Sequence, residues 1–119
     1  VAVDICEDLN INVDLIEDAI TEKTKVIMPV HFTGRLCAMK KVRQIANKYN
    51  LLVIEDAAQG YGVFYKGNHA GTIGDVGIIS FFADKTITMG EGAVILTNNS
   101  ALFEKLNIYS TKHIRNFVQ

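Results

Sequence analysis

The chain is sparing with several residue types, and each scarcity removes a class of protein. It holds two cysteines, Cys6 and Cys37, in 119 residues. Their spacing suits no zinc site, and two thiols are too few for a disulfide framework. Buried or inert thiols in a reducing, cytoplasmic setting are therefore expected. No apolar run approaches the roughly 20 residues of a membrane-spanning helix. No charged leader precedes an apolar segment at the start, so a signal peptide is not expected. Neither sign of charge dominates: 12 Lys and Arg stand against 13 Asp and Glu, a net charge of −1. The basic residues are spread along the chain, which leaves no footprint for nucleic acid and no reason to invoke a membrane surface. His31, His69 and His113 are scattered without ligand spacing, so no metal site is expected. There is no G-x-S-x-G elbow to make a nucleophile of Ser80. Repeats, low-complexity tracts and domain linkers are missing too.

What is present is an ordinary globular composition, 49% hydrophobic and 21% charged. The length suits one domain or part of one. Val1 is not a start methionine, and Val1-Ala2-Val3 reads as a strand, which suggests a piece of something longer. Asn12 can cap a helix carrying Leu15, Ile16, Ala19 and Ile20 on one stripe, with Asp14 in its first turn. Val26-Ile27-Met28 reads as a second strand. Pro29, the single proline, should sit near its end because it lacks a ladder donor. A second helix is expected over about Ala38–Tyr49, with Met39, Val42, Ile45, Ala46 and Tyr49 on its apolar face. Asn50 suits a left-handed C-terminal position. Leu51-Leu52-Val53-Ile54 then reads as a strand buried on both faces. Strand, helix, strand, helix, strand is the pattern of right-handed crossovers and a parallel sheet.

Tyr61–Gly77 breaks that rhythm. With Lys66-Gly67-Asn68 it suggests a small hairpin or irregular loop over the sheet edge. Gly71-Thr72-Ile73-Gly74-Asp75-Val76-Gly77 is not a G-x-G-x-x-G nucleotide loop, and turn glycines account for it better. Val76–Phe82 and Ala93–Thr97 read as further strands. Asn98, Asn99 and Ser100 cap a helix with Leu102, Phe103 and Leu106. Tyr109–Gln119 reads as a polar, partly basic tail.

Candidate chemistry gathers at the carboxyl ends of the strands, where open α/β sheets bind ligands. Asp56 and Gln59 leave one strand end, Ser80 lies on the next long strand, and Lys85 follows five residues later. His31 at another strand end suits either a ligand contact or a satisfied structural role. Taken alone, Asp56 is explained as a turn cap and Lys85 as a loop lysine. Together they suit an imine-forming cofactor. With a reference pKa near 10.4, roughly one lysine in a few thousand is neutral at pH 7, so a nucleophilic lysine needs burial or a cationic neighbour.

Five blocks in order resemble the DegT/DnrJ/EryC1/StrS family of pyridoxal-phosphate-dependent sugar aminotransferases. They are Lys25–Gly34 (KVIMPVHFTG), Val53–Gln59 (VIEDAAQ), Tyr65-Lys66-Gly67, Gly71–Asp75 (GTIGD), and Ser80-Phe81-Phe82 leading to Lys85. The resemblance implies a three-layer α/β/α fold with a mostly parallel sheet, like the large domain of fold-type I transferases. It implies pyridoxal 5'-phosphate as cofactor. Lys85 would form the Schiff base and shuttle the proton, Asp56 would pair with the pyridinium nitrogen, Gln59 would pack against the ring or its hydroxyl side, and Ser80 would hold the phosphate. On the ligand-contact reading of its strand-end position, His31 would lie near the substrate. The family draws its amino group from glutamate and delivers it to a nucleotide-linked keto sugar.

Lys85–Gly92 (KTITMGEG) resembles perosamine-synthase-like members, which aminate a GDP-linked 4-keto-6-deoxy sugar. Met89 and Ala93 depart from the usual residues there. Family members are longer, so residues 1–119 are expected to be a partial cofactor domain. The N-terminal segment and the C-terminal small domain would be absent, and the full-length protein would be a homodimer. The alternative is a truncated α/β remnant or interaction module without cofactor.

Overall fold

The computed structural model describes the backbone of residues 1–115 and the side chains of residues 1–109. The elements in order are α1 (Ile16–Ala19), β1 (Val26–Ile27), α2 (Met39–Tyr49), β2 (Leu52–Asp56), β3 (Phe64–Tyr65), β4 (Asn68–His69), β5 (Val76–Ser80), β6 (Ala93–Leu96) and α3 (Ser100–Arg115). The main sheet runs β1-β2-β5-β6. Its first three strands are parallel, and β6 is antiparallel to β5. The fold is α/β with a mostly parallel sheet, as the alternation of elements predicts.

Local chemistry sets most boundaries. Asn12 accepts the Asp14 amide at 3.1 Å and opens a short 3-10 turn that leads into α1. Helix α2 lays Met39, Val42, Ile45 and Ala46 on β1 and β2. It stops at Asn50, which takes the left-handed conformation (φ 53°, ψ 47°) and caps the last carbonyls. Tyr49 does not join the apolar face, and its hydroxyl donates to Glu17 at 2.6 Å. The β3–β4 hairpin turns on Lys66 and Gly67, both at positive φ, which is the backbone that tight hairpins require.

Val13, Ile16, Ile27, Cys37, Met39, Val42, Ile45, Ala46 and Val53 form the main core on one face of the sheet. Farther along, Ala57, Ala70 and Ile79 make a smaller core, with Val63, Phe81 and Leu96 against it.

The structure corrects other expectations as well. Strand β2 is not buried on both faces: Val53 and Glu55 are wholly buried, whereas Leu52 is exposed. Helices α1 and α2 cover one side, while Val26, Met28, Val30 and Ile95 stay open on the other. Val1–Val3 is not a strand, because three apolar residues need a ladder partner; Ile5 instead bridges Ile11 nearby. The second long strand ends at Ser80, because the chain turns there and the Phe82 amide bonds back to the Ser80 hydroxyl. Tyr109–Arg115 continues α3, since no glycine or proline interrupts the helix. Residues 116–119 of the expected tail lie outside the described residues.

Candidate functional site

Parallel strands bring their carboxyl ends to one edge, and Asp56 stands there at the end of β2. Its backbone is tied to the segment after β1: the Asp56 amide donates to Pro29 O, and the His31 amide donates to Asp56 O, both at 2.9 Å. This resumes the ladder past Pro29, whose carbonyl accepts but whose missing N–H interrupts the pairing of β1 with β2 between Ile27 and Val30. On the other side Asp56 pairs in register with Ile78 of β5. Side chains in register point the same way, so Asp56, Ile78 and Ser80 share one face of the sheet. Ser80 lies one strand over and two residues up. Strand spacing and rise put the two Cα atoms about 8 Å apart.

Asp56 is half-buried. Its Oδ1 accepts the Ala58 amide at 3.1 Å, which is the turn-capping role expected of it in isolation. Among the described residues Oδ2 carries no hydrogen bond and is the free acceptor of the group. The Ser80 hydroxyl accepts the Phe82 amide at 3.3 Å, and its own proton is left to donate.

Gln59 is exposed in the turn that follows Asp56. Its Oε1 accepts the Thr33 amide at 2.6 Å, so it joins the loop after β1 to the loop after β2. Thr33 and Gly34 both have positive φ. A Cβ on Gly34 would lie 3.3 Å from Gln59 O, so these loops meet backbone to backbone.

Lys85 sits in the connection between β5 and β6. The base of that connection is closed at Phe81, whose amide donates to Gly92 O at 2.8 Å and whose carbonyl accepts the Met89 amide at 2.9 Å. The Lys85 amide donates to Phe82 O at 3.0 Å. Its ammonium pairs with Asp84 Oδ1 at 3.1 Å, and the lysine side chain is 22% exposed. Thus Asp56, Gln59 and Ser80 gather at one edge, and Lys85 begins its loop from the end of the same β5. Among the described residues no hydrogen bond or ion pair joins Lys85 to the other three.

His31 is wholly buried. Its Nε2 lies 2.8 Å from Glu55 Oε2, and its Nδ1 accepts the Cys37 amide at 3.3 Å. Both ring nitrogens are bonded inside the core, which is the structural of the two roles open to it. The residue that sequence reasoning passed over is Glu55. It points opposite to Asp56, is wholly buried, and binds the Gly71–Gly74 loop. The signal was available: a charged residue in a strand otherwise apolar on that side requires a partner.

No cluster of His, Cys, Asp and Glu suited to a metal occurs among the described residues. The donor set does suit a phosphorylated pyridine aldehyde. A carboxylate with a free oxygen would suit a ring N–H, a hydroxyl would suit a phosphate, and a loop amine would suit an aldehyde.

Comparison with known proteins points the same way. Residues 1–118 match the model of the DegT/DnrJ/EryC1/StrS aminotransferase family. An uncharacterised protein of Methanocaldococcus jannaschii is 52% identical over 102 residues, covering 86% of this chain and 26% of that protein. The GDP-perosamine synthase of Escherichia coli O157:H7 is 46% identical over 99 residues, covering 83% and 27%. NtdA of Bacillus subtilis, solved with bound cofactor PMP, superposes with a TM-score of 0.77 at 42% identity, over 86% of this chain and 23% of that one. The chain spans about a quarter of the length of the curated relatives it matches.

Proposed function

The chain belongs to the DegT/DnrJ/EryC1/StrS aminotransferase family, and on that premise we propose that it is the central part of the cofactor domain of a pyridoxal-phosphate-dependent sugar aminotransferase. The reaction is transfer of an amino group from glutamate to a nucleotide-linked keto sugar, with a GDP-linked 4-keto-6-deoxy hexose as the finer reading. The full-length protein is a homodimer. Likeness to a GDP-perosamine synthase supports the sugar class. The observation that carries the proposal is the free Oδ2 of Asp56 on the same sheet face as the Ser80 hydroxyl, with Lys85 in the loop that leaves β5.

When bound, pyridoxal phosphate supplies an aldehyde for amines and a ring that takes up electrons. Asp56 would accept a hydrogen bond from the ring N–H and hold that proton in place. Ser80 would donate to the phosphate. Gln59 would border the ring from the loop it shares with Thr33. Lys85 Nζ would hold the aldehyde end and serve as the base that takes and returns the substrate α-proton. To act, Lys85 leaves Asp84, whose side chain is 68% exposed. Only the Asp84 side of this pair is open to solvent, so it is the carboxylate that is free to turn away to water.

The test is to add pyridoxal phosphate, record the visible absorption and trap the adduct with borohydride. A band fixed on Lys85 and lost in Lys85→Ala is expected. Asp56→Ala should bind the cofactor roughly 10- to 100-fold more weakly, the value of a charge-assisted hydrogen bond of about 1.5–3 kcal/mol. If the unaltered chain forms no trappable band, the cofactor reading fails for it.

A further inference from the structure

Glu55 precedes Asp56, and its side chain leaves the other face of β2. It takes four donors on one carboxylate: Oε2 accepts from His31 Nε2 at 2.8 Å and from the Gly71 amide at 2.9 Å, while Oε1 accepts from the Ile73 amide at 2.6 Å and from the Gly74 amide. Because His31 Nδ1 accepts the Cys37 amide, the ring proton sits on Nε2 and points at Glu55. One carboxylate therefore joins the segment after β1, strand β2, and the loop that feeds β5.

The loop can reach Glu55 only because it carries no side chains at its close approaches. A Cβ on Gly74 would lie 2.8 Å from Val53 O, and one on Gly77 would lie 1.9 Å from Gly71 O. Asp75 then fixes the entry into β5. Its Oδ2 accepts the Val53 amide at 2.7 Å, and its own amide donates to Val53 O at 2.9 Å. Its Oδ1 pairs with Arg43 of α2 at 3.0 Å. Five residues later the chain reaches Ser80. The height of Ser80 beside Asp56 is thus set by where the Gly71–Asp75 loop docks, and Glu55 is the buried anchor of that docking.

We propose that Glu55 is a positioning residue that, through its four-donor carboxylate, fixes β5 against β2 and so sets Ser80 relative to Asp56 for a phosphorylated ligand. The role of Asp56 and Ser80 in it rests on the function proposed above. A reporter of the register is independent of that function: the Ala57 amide donates to Ile78 O across the two strand ends at 2.9 Å.

The experiment compares the full chain with Glu55→Gln, a variant of the same shape that keeps one good acceptor and turns an NH2 toward the loop donors. Amide hydrogen exchange is read in the free proteins, and pyridoxal phosphate affinity by absorbance. Exchange at Gly71, Ile73, Gly74 and Ala57 should rise at least tenfold, with Val42 and Ala46 of α2 unchanged, and cofactor affinity should fall at least tenfold while Lys85 is still trapped at saturation. Unchanged exchange at Ala57, or an equal rise in α2, overturns the proposal. So does unchanged affinity. If the unaltered chain forms no adduct, the aminotransferase reading fails, and the Ala57 result alone still decides for or against Glu55. If Glu55→Gln does not fold, His31→Ala carries the test, because it removes one of the four donors. Raised exchange at Ala57 supports the role, and unchanged exchange overturns it.

Discussion

Cys37 and Cys6 carry the same thiol in opposite surroundings. Cys37 is buried and its Sγ donates to Val30 O at 3.0 Å. Burial pushes this thiol up to about 11. Cys6 is exposed, so of the two thiols expected to be buried or inert only Cys37 is buried. Since the thiolate is the reactive form, a disulfide reagent at pH 8 should modify one thiol quickly and Cys37 at least about 100-fold more slowly. Mass mapping of the two cysteines over time checks this, and equal rates would contradict it. Asp56 and Glu55 show the same dependence on surroundings. They are neighbours with like charge, yet one keeps an open oxygen at the sheet edge and the other is fully bonded in the core. Which of them faces the core depends on the register of β2 against β1 and β5.

At the scale of elements, the ends are under tighter chemical control than the middles. Helix α2 ends where Asn50 adopts a left-handed backbone. Glycine adopts that conformation freely, whereas alanine pays about 1–2 kcal/mol. Asn50→Gly should therefore leave the denaturation midpoint nearly unchanged, and Asn50→Ala should lower stability by about 1 kcal/mol. Urea titrations of the two variants distinguish them, and an equal loss in both would point to a side-chain role instead. The glycines of the 71–77 loop work by a different cause. Gly74 and Gly77 are required by backbone contact with β2 and with the loop itself. A turn alone would tolerate a wider choice, so their spacing was legible and their purpose was not.

For the whole molecule, the coupling of loop, strand and His31 makes acid a selective stress. Burial opposes the charge on Glu55, but the bonds from His31, Gly74, Gly71 and Ile73 outweigh it and hold its carboxyl below the usual range. A carboxylate depressed in the folded state gives its full stabilisation above its unfolded value of about 4.3. That contribution is lost as pH falls through the folded value. Thermal unfolding midpoints should therefore hold steady from pH 7 to about 5 and fall below about 4. In Glu55→Gln the decline should be shallower, and an identical acid profile in the variant would remove Glu55 from the cause.

By itself the sequence determined the order of elements, the caps at Asn12 and Asn50, the hairpin at Lys66-Gly67, and the edge at which Asp56, Gln59 and Ser80 gather. These follow from local conformational preference and apolar periodicity, which act over a few residues. Five short blocks sufficed to point to the family. Only the tertiary structure decided which face of β2 the helices cover, that His31 turns into the core, and that Glu55 rather than a turn organises the glycine loop. Those outcomes depend on groups 16 to 24 residues apart in sequence. A buried carboxylate must collect its donors from wherever the fold brings them, and the chain order does not state which donors arrive.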